Sequence, residues 1–247
     1  MFGKKKVQVD FYSVIPEVAM LEPIVNASDV KPKWWSNAQR DFVAKTKEPN
    51  FGKEKFRHTY KCSGISNLLK HGWILKTWQD IIIKTDGDGK AFQWSSTINR
   101  GGDPVGFHED TAMANFYEQW GDNLKYIVKI QTPWRCVVPK GYYLYEKSVP
   151  YNDNPHFTTQ EGFFSQEYGV AELNPQLKWH TLNDTIVIPS GTPIAHYMLI
   201  PKTQYSMTAQ VATEEQERLA YASSIETNKN LVSNRGASKC VFARLFK

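Results

Sequence analysis

With 247 residues, 41% of them hydrophobic, the chain can close a substantial core and is not disordered as a whole. Its 30 basic and 25 acidic residues are mixed along the sequence and leave a net charge of +5, which excludes the strong field of a dedicated nucleic-acid binder. No segment reaches the roughly 18 apolar residues of a membrane span, while eight Trp and twelve Tyr favour pleated sheet and protein interfaces.

The basic start Lys4-Lys5-Lys6 reads as a solvated chain end, because the segment that follows alternates instead of running apolar like a secretory leader. Val7, Val9 and Phe11 alternate with Gln8, Asp10 and Tyr12, which predicts a first strand. From Pro16 to Phe56, Pro, Asn, Asp and Lys surround Trp34-Trp35, predicting an extended, irregular arm with two aromatic anchors. Ile65, Leu68 and Leu69 have helical spacing, Ser63 can cap the start, and Gly72 can take the left-handed exit, which predicts one short helix. Trp73 to Lys84, Asp86-Gly87-Asp88-Gly89 and Ala91 to Ile98 then read as strand, tight turn and strand. A calcium loop at Asp86 and Asp88 fails for want of the closing Glu, since Thr97 stands at the twelfth position.

Asp110 to Trp120 predicts a short helix. Between Lys125 and Pro201, short apolar runs punctuated by Pro and Gly predict many short strands in a sandwich or barrel. Thr213-Glu214-Glu215-Gln216 predicts a capping box that opens a C-terminal helix. The expected organisation is a single domain over 1–247: a strand and extended arm over 1–60, a β-rich core over 73–201 and a helix over 213–232.

Chemical motifs are sparse. Phosphate-loop, dinucleotide, nucleophile-elbow and His-Glu-x-x-His signatures are all missing. Cys62, Cys136 and Cys240 lie far apart, giving neither a disulfide framework nor a metal knuckle, which fits a reducing compartment. His108 and Asp110 with His196 have the ligand types of a two-histidine, one-carboxylate iron site. Six histidines and many carboxylates meet that composition by chance, so an iron-dependent oxygenase ranks last among the functional readings and no metal or cofactor is expected.

A sharper pattern comes from Val138-Pro139-Lys140-Gly141-Tyr142 running into Glu146-Lys147-Ser148, then Gly162-Phe163-Phe164-Ser165-Gln166-Glu167-Tyr168, then Ile188-Pro189-Ser190-Gly191-Thr192-Pro193-Ile194-Ala195-His196. In order and spacing these resemble three motifs of the dUTPase and dCTP deaminase family. The resemblance implies a β-clip fold, or a related β-sandwich core, that trimerises. It places Lys147-Ser148 on an Arg-Ser pair, Tyr168 on a base-stacking ring and Gly191 with Ile194-Ala195 on a phosphate-contact frame. Its chemistry departs from the family's. Ser165 occupies the position of the catalytic carboxylate and is no general base near neutral pH, His196 replaces a glutamine, and Asn234-Arg235-Gly236-Ala237-Ser238 is a poor match to the phosphate-covering tail. Over residues 30–200, segments such as Pro32-Lys33-Trp34-Trp35, Gly72-Trp73-Ile74 and Thr132-Pro133-Trp134 also resemble an uncharacterised family of bacterial and phage proteins.

The expected fold is therefore mainly β, a β-clip or sandwich core with an N-terminal arm and a C-terminal helix. The favoured function is a non-enzymatic, phage-type structural or accessory protein, in the host cytoplasm or the virion, with a homo-oligomeric partner and no membrane. Trp134, Tyr142, Tyr143 and Tyr145 are the candidate interface aromatics. The alternative is a nucleotide-binding protein or divergent nucleotide hydrolase, for which Lys147, Ser148, Ser165, Tyr168 and His196 are the candidate pocket residues.

Overall fold

The computed structural model describes residues 7–48, 58–97, 102–109, 121–152 and 154–233. It divides into two compact units, one of 1–33 with 63–203 and one of 34–62 with 204–247. The predicted helix over Asp110–Trp120, the lysine run, Cys240 and the Asn234–Ser238 segment lie outside the described residues.

The first unit is built from antiparallel sheets, as the run of short strands predicts. Its strands are β1 (Asp10–Ser13), β2 (Val25–Asn26), β3 (Trp73–Lys76), β4 (Ile81–Thr85), β5 (Phe92–Ser96), β6 (Val105–His108), β7 (Ile127–Ile130) and β8 (Trp134–Val137), then β9 (Tyr142–Lys147), β10 (Phe157–Thr159), β11 (Gly162–Ser165), β12 (Ala171–Glu172), β13 (Gln176–Trp179), β14 (Thr185–Ile188) and β15 (Pro193–Pro201). The sheets have the orders β11-β9-β15-β3-β2, β10-β13-β7-β6, β14-β4-β5 and β1-β8-β12. Side chains of period two drive them: Ile81 and Ile83 of β4, Leu177 and Trp179 of β13, and Leu144 of β9 turn inward to one core, which Leu75 and Tyr197 join.

The predicted strand over 73–84 is two strands in different sheets. Thr77 marks the break. Its amide donates to the Thr192 carbonyl at 2.9 Å and its hydroxyl to the Pro189 carbonyl at 2.6 Å, while its own carbonyl accepts from the Gly191 amide at 2.8 Å. The Asp80 carboxylate adds a bond from the Ser190 amide at 2.8 Å. The chain thus changes sheets where it clasps the turn between β14 and β15, and Gly191 takes φ +81° in that turn. The β4–β5 hairpin follows the predicted turn, with Ile83 opposite Trp94. The first strand starts later than predicted, at Asp10, where pairing with β8 begins.

The arm predicted from Pro16 to Phe56 is helical over much of its described length, with α1 (Pro16–Leu21) in the first unit and α2 (Lys33–Lys45) carrying Trp34 and Trp35. Trp35 and Phe42 are seven residues apart, two helical turns, and both contact the Tyr60 ring, at 4.9 and 5.5 Å. That shared face favours helix over the extended chain suggested by the polar residues between them. The helix α3 (Ser63–Leu68) ends before Gly72, which has φ +82°. The second unit also holds α4 (Glu214–Ser233), opened by the predicted box: the Thr213 amide donates to Gln216 Oε1 at 2.9 Å and the Gln216 amide to Thr213 Oγ1 at 3.3 Å. No helix among the described residues is long and apolar enough to cross a membrane.

Candidate functional site

Strand β9 organises most of the predicted site residues. Opposite residues of an antiparallel pair share a face, so the register Tyr143↔Ile200, Tyr145↔Met198 and Lys147↔His196 puts these six side chains on the outer face of the five-stranded sheet. Tyr145 is also opposite Phe163 of β11. Phe163 stacks on Tyr145 at 4.9 Å and meets Tyr143 edge-on at 5.6 Å, yet remains 59% exposed. Lys202 Nζ lies 4.6 Å from the Tyr143 ring centre and forms an ion pair with Glu167. The result is a surface of aromatic rings edged by charge. Trp134, predicted as an interface aromatic, is instead buried in the core, because β8 turns it to the same side as Cys136.

At the Lys147 end, the sheet borders a cleft of about 460 Å³ whose wall includes Lys147, Ser148, Tyr151, Asn154, Thr158 and Ile194. Among the described residues no ion pair reaches Lys147. The Ser148 hydroxyl is committed: it donates to the Thr159 carbonyl and accepts from the Thr159 amide, both at 3.0 Å. Thr159 in turn donates its hydroxyl to the Ile194 carbonyl. Tyr151 on the wall takes φ +55°, a left-handed conformation uncommon outside glycine.

Ser165 stands at the other end of the ladder, opposite Tyr143. Four residue steps separate that position from Lys147, about 13 Å along the strand. Ser165 is buried, and the carboxyl of nearby Glu167 is held down at about 2, chiefly by the Lys202 ammonium. The Tyr168 backbone closes the 3₁₀ turn Gln166–Tyr168, and its side chain lies outside what the structure describes. Within one chain, then, the fold joins Lys147 to His196 and Ser148 but keeps Ser165 apart from them.

His196 is fully buried although it lies on the outer face, because the segment through His71 and Gly72 covers it. Its Nε2 donates to the His71 carbonyl at 2.6 Å, its Nδ1 has no hydrogen-bond partner, and burial lowers its pKa, which favours the neutral ring. His108 ends β6 in a different sheet, opposite Ile127, and Asp110 lies outside the described residues. The described residues contain no group of three His, Cys, Asp or Glu able to hold a metal.

Sequence reasoning missed the pair behind β9. Glu146 and Tyr197 are register partners on the core side, nearly or fully buried, and the tyrosine hydroxyl donates to the carboxylate. Burial pushes the Glu146 carboxyl up to about 7 and Tyr197 well above its ordinary range. The parity of Leu144 and Glu146 within Tyr142–Lys147 was the available signal.

Compared with known proteins, the chain matches no family model and no curated protein. Among solved structures it is similar to a dUTPase from phage phi11 of S. aureus, at 13% identity, over 54% of this chain and 97% of that one, with a TM-score of 0.25.

Proposed function

We propose that this protein is a non-catalytic, phage-type structural or accessory protein that assembles with copies of itself through the outer face of the five-stranded sheet. The observation that carries the reading is the cluster of Tyr143, Tyr145 and Phe163 at the β11–β9 end of that face, where Phe163 packs on both tyrosines while Phe163 and Tyr143 stay exposed. Aromatic clusters of this kind supply the buried centre of protein interfaces, and Lys202 with Glu167 provides a polar rim. The state of the motif residues supports a non-catalytic role: Ser165 is buried, Ser148 is bound to Thr159 and His196 is sealed beneath Gly72. The phage-type assignment rests on the sequence resemblance alone.

Sedimentation velocity across a concentration range tests assembly, and a dUTP and dCTP turnover assay tests the absence of catalysis. The reading expects species heavier than the 28.4 kDa chain and no enzyme-like turnover. Turnover of either nucleotide at enzymatic rates would overturn it.

Nucleotide binding is the second reading, favoured by one observation: the Lys147 ammonium, without an ion pair among the described residues, lines an open cleft. The fixed Ser148 proton counts against a hydroxyl contact to phosphate there. A thermal-shift panel of nucleotides separates the readings, since a ligand bound only by the native state raises the melting temperature.

A further inference from the structure

The segment between α3 and β3 packs directly against β15. Its Leu69 is buried, and the Gly72 carbonyl accepts from the Ala27 amide at 3.0 Å. Gly72 approaches so closely that a Cβ there would stand 2.0 Å from the Tyr197 carbonyl oxygen and 2.9 Å from His196 Nε2. A residue without a Cβ permits that approach.

His196 lies beneath this segment at 0% exposure. The His71 carbonyl can only accept, so the 2.6 Å contact fixes the ring proton on Nε2 and leaves Nδ1 with a lone pair. Nδ1 has no hydrogen-bond partner. A second proton would go there, creating an N–H with no acceptor and a charge cut off from water.

The surroundings do nothing to offset that charge. From β9, Lys147 stands opposite His196 in the ladder; from β3 the opposite residue is Ile74, which carries no charge; the covering segment adds the His71 ring. Lys147 and His71 both disfavour a cationic His196, and among the described residues no carboxylate pairs with it. Charging the ring would strengthen its bond to the His71 carbonyl, but burial outweighs that gain, and the pKa falls below its ordinary 6.5. The neutral ring therefore stabilises the closed segment above about pH 6.5, and this contribution is lost as pH falls through the lower folded value. Glu146, on the other face of the sheet, acts with the opposite sign, since its carboxyl, raised to about 7, makes the fold more stable toward acid.

We propose that the His71–Gly72 segment is an acid-released cover: protonation of His196 lifts it from β15 and opens the His196–Lys147 end of the outer face to water. The aromatic cluster of the assembly reading lies at the β11–β9 end, so the two stand or fall independently.

Hydrogen–deuterium exchange of the full chain between about pH 7.5 and about pH 5, timed to the intrinsic amide rate at each pH, reads the release directly. The parent is compared with His196→Gln, in which glutamine keeps an N–H for the His71 carbonyl but does not titrate. We expect protection of a peptide spanning residues 69–76 to fall about tenfold in the parent and by less than about twofold in the variant, while the β4–β5 hairpin keeps its protection in both. Nitrogen-15 NMR of the parent's histidines gives a second readout that needs no variant. His196 should carry its proton on Nε2 at the upper pH and take the second proton where the segment loses protection. The proposal is overturned if the parent segment stays protected to about pH 5, or if His196→Gln loses as much protection as the parent. It is also overturned if the hairpin opens together with the segment, or if the ring takes its second proton while the segment stays closed.

Discussion

The two faces of the five-stranded sheet use one set of strands for opposite purposes. On the inner face, Leu144, Glu146 and Tyr197 are closed off from water and a single carboxyl–phenol bond is the polar content around Glu146. On the outer face, one residue out of phase, Tyr143 and Phe163 remain exposed and Tyr145 half-exposed, while His196 is covered by the His71–Gly72 segment. Strand alternation alone separates the two. The inner face should respond to pH and to packing, and the outer face to partner concentration.

The largest expected effect comes from uncovering His196. A Cβ on Gly72 would lie 2.0 Å from the Tyr197 carbonyl oxygen, at φ +82°. Gly72→Ala should therefore cost about 3–5 kcal/mol from the clash and the left-handed backbone together. Denaturant unfolding would check this, with loss of soluble protein as the extreme result.

Next is the inner carboxyl. Glu146 binds its proton more tightly in the folded chain, near 7, than an ordinary glutamate does at 4.5. Between those values the folded chain holds the extra proton, so stability falls as pH rises through that window and levels off above it. The loss is about 3 kcal/mol at most. Glu146→Gln keeps an acceptor for Tyr197 without the charge, so it should flatten the pH dependence and be the more stable chain at pH 8. Melting curves of both proteins across this range give the comparison.

Smaller effects belong to the turn and the covered histidine. Gly191 has φ +81°, but its nearest prospective Cβ neighbour, Glu22 Oε1, is 3.5 Å away, so Gly191→Ala should cost about 1 kcal/mol of backbone strain. His196→Gln retains an N–H for the His71 carbonyl and should change stability by less than about 1 kcal/mol. A larger loss would mean the ring has a role beyond that bond.

Legibility followed the range of the interactions. The β4–β5 hairpin, the Gly191 turn and the Thr213–Gln216 box are written in neighbouring residues, and sequence reasoning reached them. The break at Thr77 was not readable, because apolar residues resume at Trp78 and Ile81 while the bonds that end β3 come from Pro189, Gly191 and Thr192. The helix α2 was hidden because its polar residues resemble a loop, and Trp35 and Phe42 find their shared partner at Tyr60. For the candidate site, sequence order brought Lys147, Ser165 and His196 into one list, but register decides proximity: His196 is opposite Lys147, and Ser165 is opposite Tyr143.

The most direct test of the assembly face is the solution mass of the parent and of Phe163→Glu, measured by light scattering at matched concentrations. Phe163 is 59% exposed, so the substitution should leave the melting temperature nearly unchanged. The account predicts a parent mass that is a multiple of 28.4 kDa and a variant shifted to the single-chain mass. A parent that stays at 28.4 kDa, or a variant that assembles as well as the parent, would contradict it.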